Sequence, residues 1–244
     1  MARIPRARPD PRRTFHTDAQ VRLNARRLEH LSRCGLVEAG RKVLEVGAGI
    51  GDLTSYFTDR GCSIVVTEGR RELVELIRAG QTAIMSRKAT VLDLERPPAP
   101  RPGEFDLAFC YGVLHLLADP APALDFMRAC LHDQGRILIE MTVSHGDAEV
   151  LNPRTLPAVE IDGSLHGRGC RPTRAWMWAR LRERFEHVYV PRVQPRHETF
   201  PVEWNQGRTD GVQRAVFVAA RAPIVNPWLA SELLPVQRDA PTGT

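Results

Sequence analysis

The stretch VLEVGAGIG, Val43 to Gly51, decides the fold. Val43 to Val46 reads as a buried strand, and Gly47, Gly49 and Gly51 then put three residues without a Cβ where the backbone must turn sharply into a helix over Asp52 to Arg60. A ligand can approach the backbone closely at such a turn, and the helix start offers free N–H groups. The outline is that of a nucleotide site. A dinucleotide fingerprint counted from Gly47 would need glycine at position 52, but Asp52 stands there and would set a carboxylate against a pyrophosphate. No G-K-[ST] follows, so a P-loop is excluded. A ligand without phosphates fits better.

Outward from this turn, short apolar runs recur at Ser63 to Thr67, Thr90 to Leu92, Phe105 to Phe109 and Ile137 to Met141, the pattern of strands buried on both faces. Helical stretches separate them at Arg70 to Arg78 and Pro120 to Leu131, which predicts a parallel sheet with crossover helices. Glu95 to Gly103 carries four prolines and is a connector. A first helix begins near Asp18, with Val21, Leu28, Leu31 and Leu36 at near-helical intervals. Beyond the fifth strand, Val143 to Gly169 shows no period and reads as a mobile or functional loop. Thr173 to Phe185 then reads as a helix, and His187 to Val193 with Gln213 to Ala220 as an antiparallel hairpin closing one edge. Three parts are expected: a flexible basic lead-in over 1–16, a single domain over 17–221 with a substrate lid at 143–170, and a C-terminal tail over 222–244 that frays beyond a possible anchor at Asn226, Pro227 and Trp228.

Composition narrows the class. With 43% hydrophobic and 26% charged residues, the 244-residue chain is neither disordered nor fibrous, and no apolar run is long enough to span a bilayer. Its N-terminus has no apolar signal region, and five scattered cysteines form no Cys-x-x-Cys pair, so a reduced cytoplasmic protein without a zinc knuckle is expected. The net charge of +5 is concentrated in residues 1–42, where eleven basic residues face four acids. That segment is either a phosphate-attracted arm or a solvated face; only Phe15 offers a stacking ring among its arginines, which favours the second reading.

The residues from Val43 on resemble the class I S-adenosylmethionine-dependent methyltransferases of the bacterial, small-molecule type. Glu45, Gly47, Gly49 and Gly51 stand in an E-x-G-x-G-x-G motif, and the next strand ends in Glu68, seventeen residues after Gly51. The stretches VLDL at Asp93 and Leu94, FDLAFCY ending in Cys110 and Tyr111, and GRILIEM follow in order, so the resemblance spans about Asn24 to Ala220. It implies an α/β fold: a Rossmann-like, seven-stranded, mostly parallel sheet with an antiparallel C-terminal hairpin and helices on both faces. It assigns S-adenosyl-L-methionine, with S-adenosyl-L-homocysteine as product, to Glu45, Gly47, Ala48, Gly49, Gly51, Glu68, Gly69, Asp93, Leu94, Cys110 and Tyr111. Glu68 would accept hydrogen bonds from both ribose hydroxyls, Asp93 and the Leu94 N–H would face the adenine edge, and Cys110 and Tyr111 would lie under the methionine part.

Methyl transfer from a sulfonium needs alignment and dryness more than acid–base machinery, but a hydroxyl acceptor would gain from a histidine base. His145 ranks first because it closely follows the fifth strand; His115 and His166 come next, then Glu140 and Glu160. Leu116 stands where related sequences often carry a second ring after the histidine, which weakens a catalytic role for His115. Trp204 is a possible second wall, and no metal site is indicated. The expected reaction is methylation of an oxygen or nitrogen of a small molecule, a natural product or sugar, by a monomer or homodimer that meets no membrane. The alternatives are a nucleic-acid methyltransferase using the basic N-terminus, which is disfavoured, and a non-catalytic cofactor-binding or interaction protein.

Overall fold

The computed structural model describes residues 10–80, 89–157, 160–204 and 211–238. Two helices precede the sheet. In α1 (Pro11–Phe15) Asp10 accepts the Arg12 N–H at 3.0 Å, and in α2 (Asp18–Arg33) the Thr17 hydroxyl accepts the Gln20 N–H at 3.2 Å. Residues 10–16 are therefore a capped helical turn where the sequence suggested an extended lead-in; residues 1–9 lie outside the described part. The buried face of α2 carries Leu23, Arg27, His30 and Leu31, whereas Val21, placed on the apolar face by periodicity, is 52% exposed. Arginine and histidine occupy that face because each finds a partner there: Arg27 pairs with Glu140, and His30 Nε2 meets the Val193 carbonyl at 2.9 Å.

The strands are β1 (Lys42–Val46), β2 (Ser63–Glu68), β3 (Ala89–Val91), β4 (Phe105–Tyr111), β5 (Leu131–Val143), β6 (Pro153–Thr155), β7 (Arg168–Cys170), β8 (His187–Pro191), β9 (Gln213–Ala220) and β10 (Leu229–Ala230). Between them lie α3 (Thr54–Thr58), α4 (Arg71–Gly80), α5 (Ala121–Cys130) and α6 (Arg174–Arg182). Eight strands form one sheet in the order β10-β8-β9-β5-β4-β1-β2-β3, and β6 with β7 forms a separate antiparallel pair. Strands β1 to β5 pair in parallel, and β9, β8 and β10 add antiparallel. Alternation along β4 sorts the core into two faces. Leu107, Phe109 and Tyr111 pack with Leu31, Phe57 and Ile77; Ala108 and Cys110 pack with Leu124, Met127 and Met177. The chain order reverses between β1 and β4, which opens a crevice at their carboxyl ends.

The eighth strand lies in what the sequence reading took for a fraying tail. Asn226 Nδ2 donates to the Cys34 carbonyl at 2.9 Å, Arg33 stacks over Trp228, and Leu229 and Ala230 pair with Pro191 and Val190. Gln237, 1% exposed, donates to the Pro191 carbonyl at 2.5 Å and accepts from Trp204 Nε1 at 2.6 Å and Gln194 Nε2 at 3.2 Å. A two-residue strand is too short to show a period, and single polar anchors carry no pattern; residues 239–244 lie outside the described part. No described helix is long and apolar enough to cross a membrane.

Replacing Gln237 by leucine strands the Trp204 and Gln194 donors without water. Urea denaturation is expected to show a loss of about 1–3 kcal/mol, and stability equal to wild type would mean the Gln237 hydrogen bonds contribute nothing to the fold.

Candidate functional site

A cavity of about 260 Å³ lies in the crevice at the carboxyl ends of β1 to β4. Its floor is the glycine turn. Gly47 has φ +70°, and a Cβ there would sit 2.3 Å from Val113 Cγ2; one on Gly49 would sit 2.9 Å from the Phe15 ring. Only backbone fits between these walls. Glu68 lies beside the turn with its oxygens accepting the Gly49 N–H at 2.9 Å and the Arg70 N–H at 3.0 Å. Burial raises its pKa against those two bonds. Glu45, beneath the turn, accepts from the Thr54 hydroxyl at 2.6 Å, and burial pushes it up to about 7.

At the methionine end suggested by the resemblance, the Tyr111 hydroxyl is buried and has no partner among the described residues. Glu140 lies next to it across the sheet, 0% exposed, between the Arg27 and Arg214 guanidiniums, the latter at 2.9 Å. Burial alone would raise Glu140, but the two cations outweigh it and hold it below the usual carboxylate range. An ionised carboxylate so engaged is not free to act as a base, contrary to its candidacy from sequence. A glycine floor too tight for side chains, a carboxylate at the ribose position and an unpartnered phenol suit S-adenosylmethionine, which Gly47, Ala48, Gly49, Glu68, Asp93, Leu94 and Tyr111 would hold.

Of the residues the resemblance assigned to the cofactor, Glu45, Gly47, Ala48, Gly49, Glu68, Gly69, Asp93, Leu94 and Tyr111 line the cavity. Gly51 and Cys110 do not. Gly51 closes the turn with its N–H on the Ala48 carbonyl at 2.9 Å, and Cys110 alternates to the opposite face of β4 and packs in the core with α5.

The histidines separate. His115 lines the cavity from the 3₁₀ turn Leu114–Leu116, and its Nδ1 accepts the Thr142 N–H at 3.4 Å. That bond leaves the hydrogen on Nε2, and burial lowers the pKa to about 3, so the ring is a neutral donor and a poor base. His166 Nε2 meets Asp93 Oδ2 at 2.8 Å, at the adenine landmark named by the resemblance. His145, ranked first from sequence, lines a separate depression with Arg174 and Trp204 and is not brought to the cavity; position after β5 fixes its depth along the sheet but not its direction. Trp204 is no second wall either: its ring lies under Arg174 and its Nε1 donates to Gln237. The loop residues 205–210 lie outside the described part.

Part of the 143–170 segment borders the cavity. Ile161, Asp162, Gly163, Leu165 and His166 line the cavity, and Arg70 Nη2 donates to the carbonyls of Glu160 at 2.8 Å and Ser164 at 3.1 Å. Residues 158–159 are not described. Sequence reasoning missed Phe15, Asn24, Arg27 and Arg214, all lining the cavity. The one available signal was Arg27, a charge midway between Leu23 and Leu31 on a face otherwise built for burial.

A second chamber of about 500 Å³ adjoins the first and shares His115, Leu116, Asp162, Gly163 and Arg214 with it. Its further lining comes from the β6–β7 hairpin, including Arg154 and Leu156, and from Thr142, Glu160, Arg171 and Val212.

Residues 15–201 match the sequence profile of the family described as methyltransferase domain. Among solved structures, the chain is 20% identical to the N-terminal domain of EvdMO1, crystallised in the presence of SAH and D-fucose, with TM-score 0.59 and 84% of each chain covered. An S-adenosylmethionine-dependent methyltransferase from Mesorhizobium loti is 16% identical, with TM-score 0.58, covering 79% of this chain and 97% of that one. The [4+2]-cyclase SpnF is also 16% identical, with TM-score 0.54, covering 72% of this chain and 63% of its own. A search of curated proteins returned no significant match.

Glu45 supplies a pH test. Its pKa rises from 4.5 to about 7 on folding, so the native state holds the proton more tightly than the unfolded chain. The associated stability is fully present below pH 4.5 and is lost as pH climbs through about 7, by ~3 kcal/mol at most. Thermal melts of cofactor-free wild type and Glu45→Gln are expected to diverge across that window, the variant gaining on the wild type as pH rises. A constant difference would show that Glu45 does not titrate there.

Proposed function

Because the chain belongs to the methyltransferase-domain family of S-adenosylmethionine-dependent enzymes, we propose that it transfers a methyl group to an oxygen or nitrogen of a small molecule, such as a natural product or sugar. The observation that carries this reading is the pairing of the Glu68–glycine cradle with an adjoining second chamber whose volume suits a metabolite. When bound, S-adenosylmethionine supplies an electrophilic methyl on a sulfonium, displaced in line.

The chain's own part is binding, alignment and exclusion of water. Glu68, held by two backbone N–H groups, keeps lone pairs for the ribose hydroxyls. Phe15 closes the glycine turn from above, and residues 161–166 line the cavity as part of the acceptor-recognition lid. His115 orients the acceptor through its Nε2 hydrogen rather than removing a proton. An acceptor nitrogen with a free lone pair, or a hydroxyl already acidic, needs no stronger base.

Part of the basic charge of residues 1–42 is turned inward, which weakens the case for a nucleic-acid acceptor. Arg26 pairs with Glu29, Arg27 with Glu140, Arg41 with Glu38 and Asp106, and Lys42 with Glu104, while Arg33 covers Trp228. These cations are engaged within the protein.

Calorimetric titration with S-adenosylmethionine and S-adenosylhomocysteine tests the reading. Glu68→Ala is expected to weaken both by about 1–3 kcal/mol, since bonds to a charged acceptor are lost. Unchanged affinity in the variant removes the ribose assignment, and failure of the wild type to bind either ligand removes the functional reading.

A further inference from the structure

The second chamber has an unusual wall. Arginines from three separate segments meet there: Arg154 on β6, Arg171 just after β7, and Arg214 on β9. Burial first, then the like charges of Arg154 and Arg214, lowers the Arg171 pKa, in keeping with the shared lining of the chamber. Neither Arg154 nor Arg171 forms an ion pair with an acid among the described residues. Among the described residues Arg214 pairs with Glu140, which it shares with Arg27. Glu160 and Asp162 also line the chamber and, like Arg154, are exposed.

The cluster is held from behind. Arg171 donates its backbone N–H to the Asn152 carbonyl at 2.9 Å, and its own carbonyl accepts from the Ser144 hydroxyl at 2.7 Å and Asn152 Nδ2 at 3.2 Å. Asn152 adopts φ +52° to make this turn. The hairpin is also pressed against the turn that carries His115: a Cβ on Gly169 would lie 2.6 Å from the His115 carbonyl, and Cys170 Sγ meets the Leu114 carbonyl at 3.6 Å. Leu116, Leu156 and Val212 supply apolar surface beside the cations.

Three guanidiniums lining one cavity, two of them without an ion-pair partner among the described residues, favour a bound anion. We propose that this chamber binds an acceptor with an apolar body and an oxyanion group, a carboxylate or a phosphate, gripped by Arg154, Arg171 and Arg214. The inference rests on the methyl-transfer reading for the word acceptor, but the anion site itself does not. Arg214 lines both cavities, so a ligand held there lies against the opening to the cofactor site. Planar guanidiniums suit either oxyanion through paired N–H donors.

The test is calorimetric titration of the full chain at fixed ionic strength, with and without saturating S-adenosylhomocysteine, using benzoate, inorganic phosphate and neutral benzamide as probes. At least one anion is expected to bind saturably and at least tenfold more tightly than benzamide. Benzoate alone would identify a carboxylate acceptor, phosphate alone a phosphorylated one. Arg154→Met and Arg171→Met should each weaken that anion by tenfold or more while S-adenosylhomocysteine affinity and melting temperature stay at wild-type values, since neither residue lines the cofactor cavity. No preference of the wild type for either anion over benzamide overturns the proposal, as does anion binding that survives both substitutions. Loss of S-adenosylhomocysteine binding by the wild type would instead strike the functional reading, leaving the cofactor-free titration to judge the chamber.

Discussion

A carboxylate without access to water organises this molecule. Glu140 sits on β5 between Arg27 of α2 and Arg214 of β9, so one buried ion triplet ties the first long helix, the central strand and the returning strand together. Removing one partner from such a cluster typically costs about 3–5 kcal/mol, because the remaining charge is left buried and unpaired. The geometry follows from strand alternation. Tyr111, Glu140 and Val216 are aligned across β4, β5 and β9, and Arg214, two residues before Val216, faces the same side of the sheet as α2. The triplet also borders both cavities, since Arg27 and Arg214 line the first and Arg214 the second.

Close backbone approach is the second constraint. The floor of the first cavity has no room for side chains at Gly47 because Val113 arrives from the loop after β4, in the crevice where the strand order reverses. The N-terminal turn covers the same floor, with His16 Nε2 at 3.1 Å from Asp52 and Phe15 against Gly49. Segments far apart in sequence therefore meet at one turn, and the shape of the cavity depends on all of them.

Much of the site was legible from the chain because its signals are local. The glycine turn, Glu68 at the end of β2 and Asp93 after β3 all lie within a few residues of a strand end, and a parallel strand–helix repeat brings those ends to one edge. Two of the assigned cofactor residues failed for equally local reasons: Cys110 falls on the wrong side of the strand alternation, and Gly51 serves the turn itself. His145 lies outside the cavity for a different reason. Its place after β5 was read correctly, but the chain turns toward Arg174 and the C-terminal segment, a direction that nothing near it in sequence encodes.

By itself the sequence determined the alternation of strands and helices, the sharp turn at Gly47 and the order of the acidic landmarks, since hydrophobic period and backbone freedom act over a few residues. Only the tertiary structure decided that Arg27 could be buried, that Leu229 and Ala230 beyond the Asn226–Trp228 anchor would add a strand to the sheet edge, and that Arg154, Arg171 and Arg214 would share a wall. The physical reason is the same in each case. A buried charge, an edge strand two residues long and a cluster of cations are all set by partners distant in the chain, and a single sequence does not state which partners will meet.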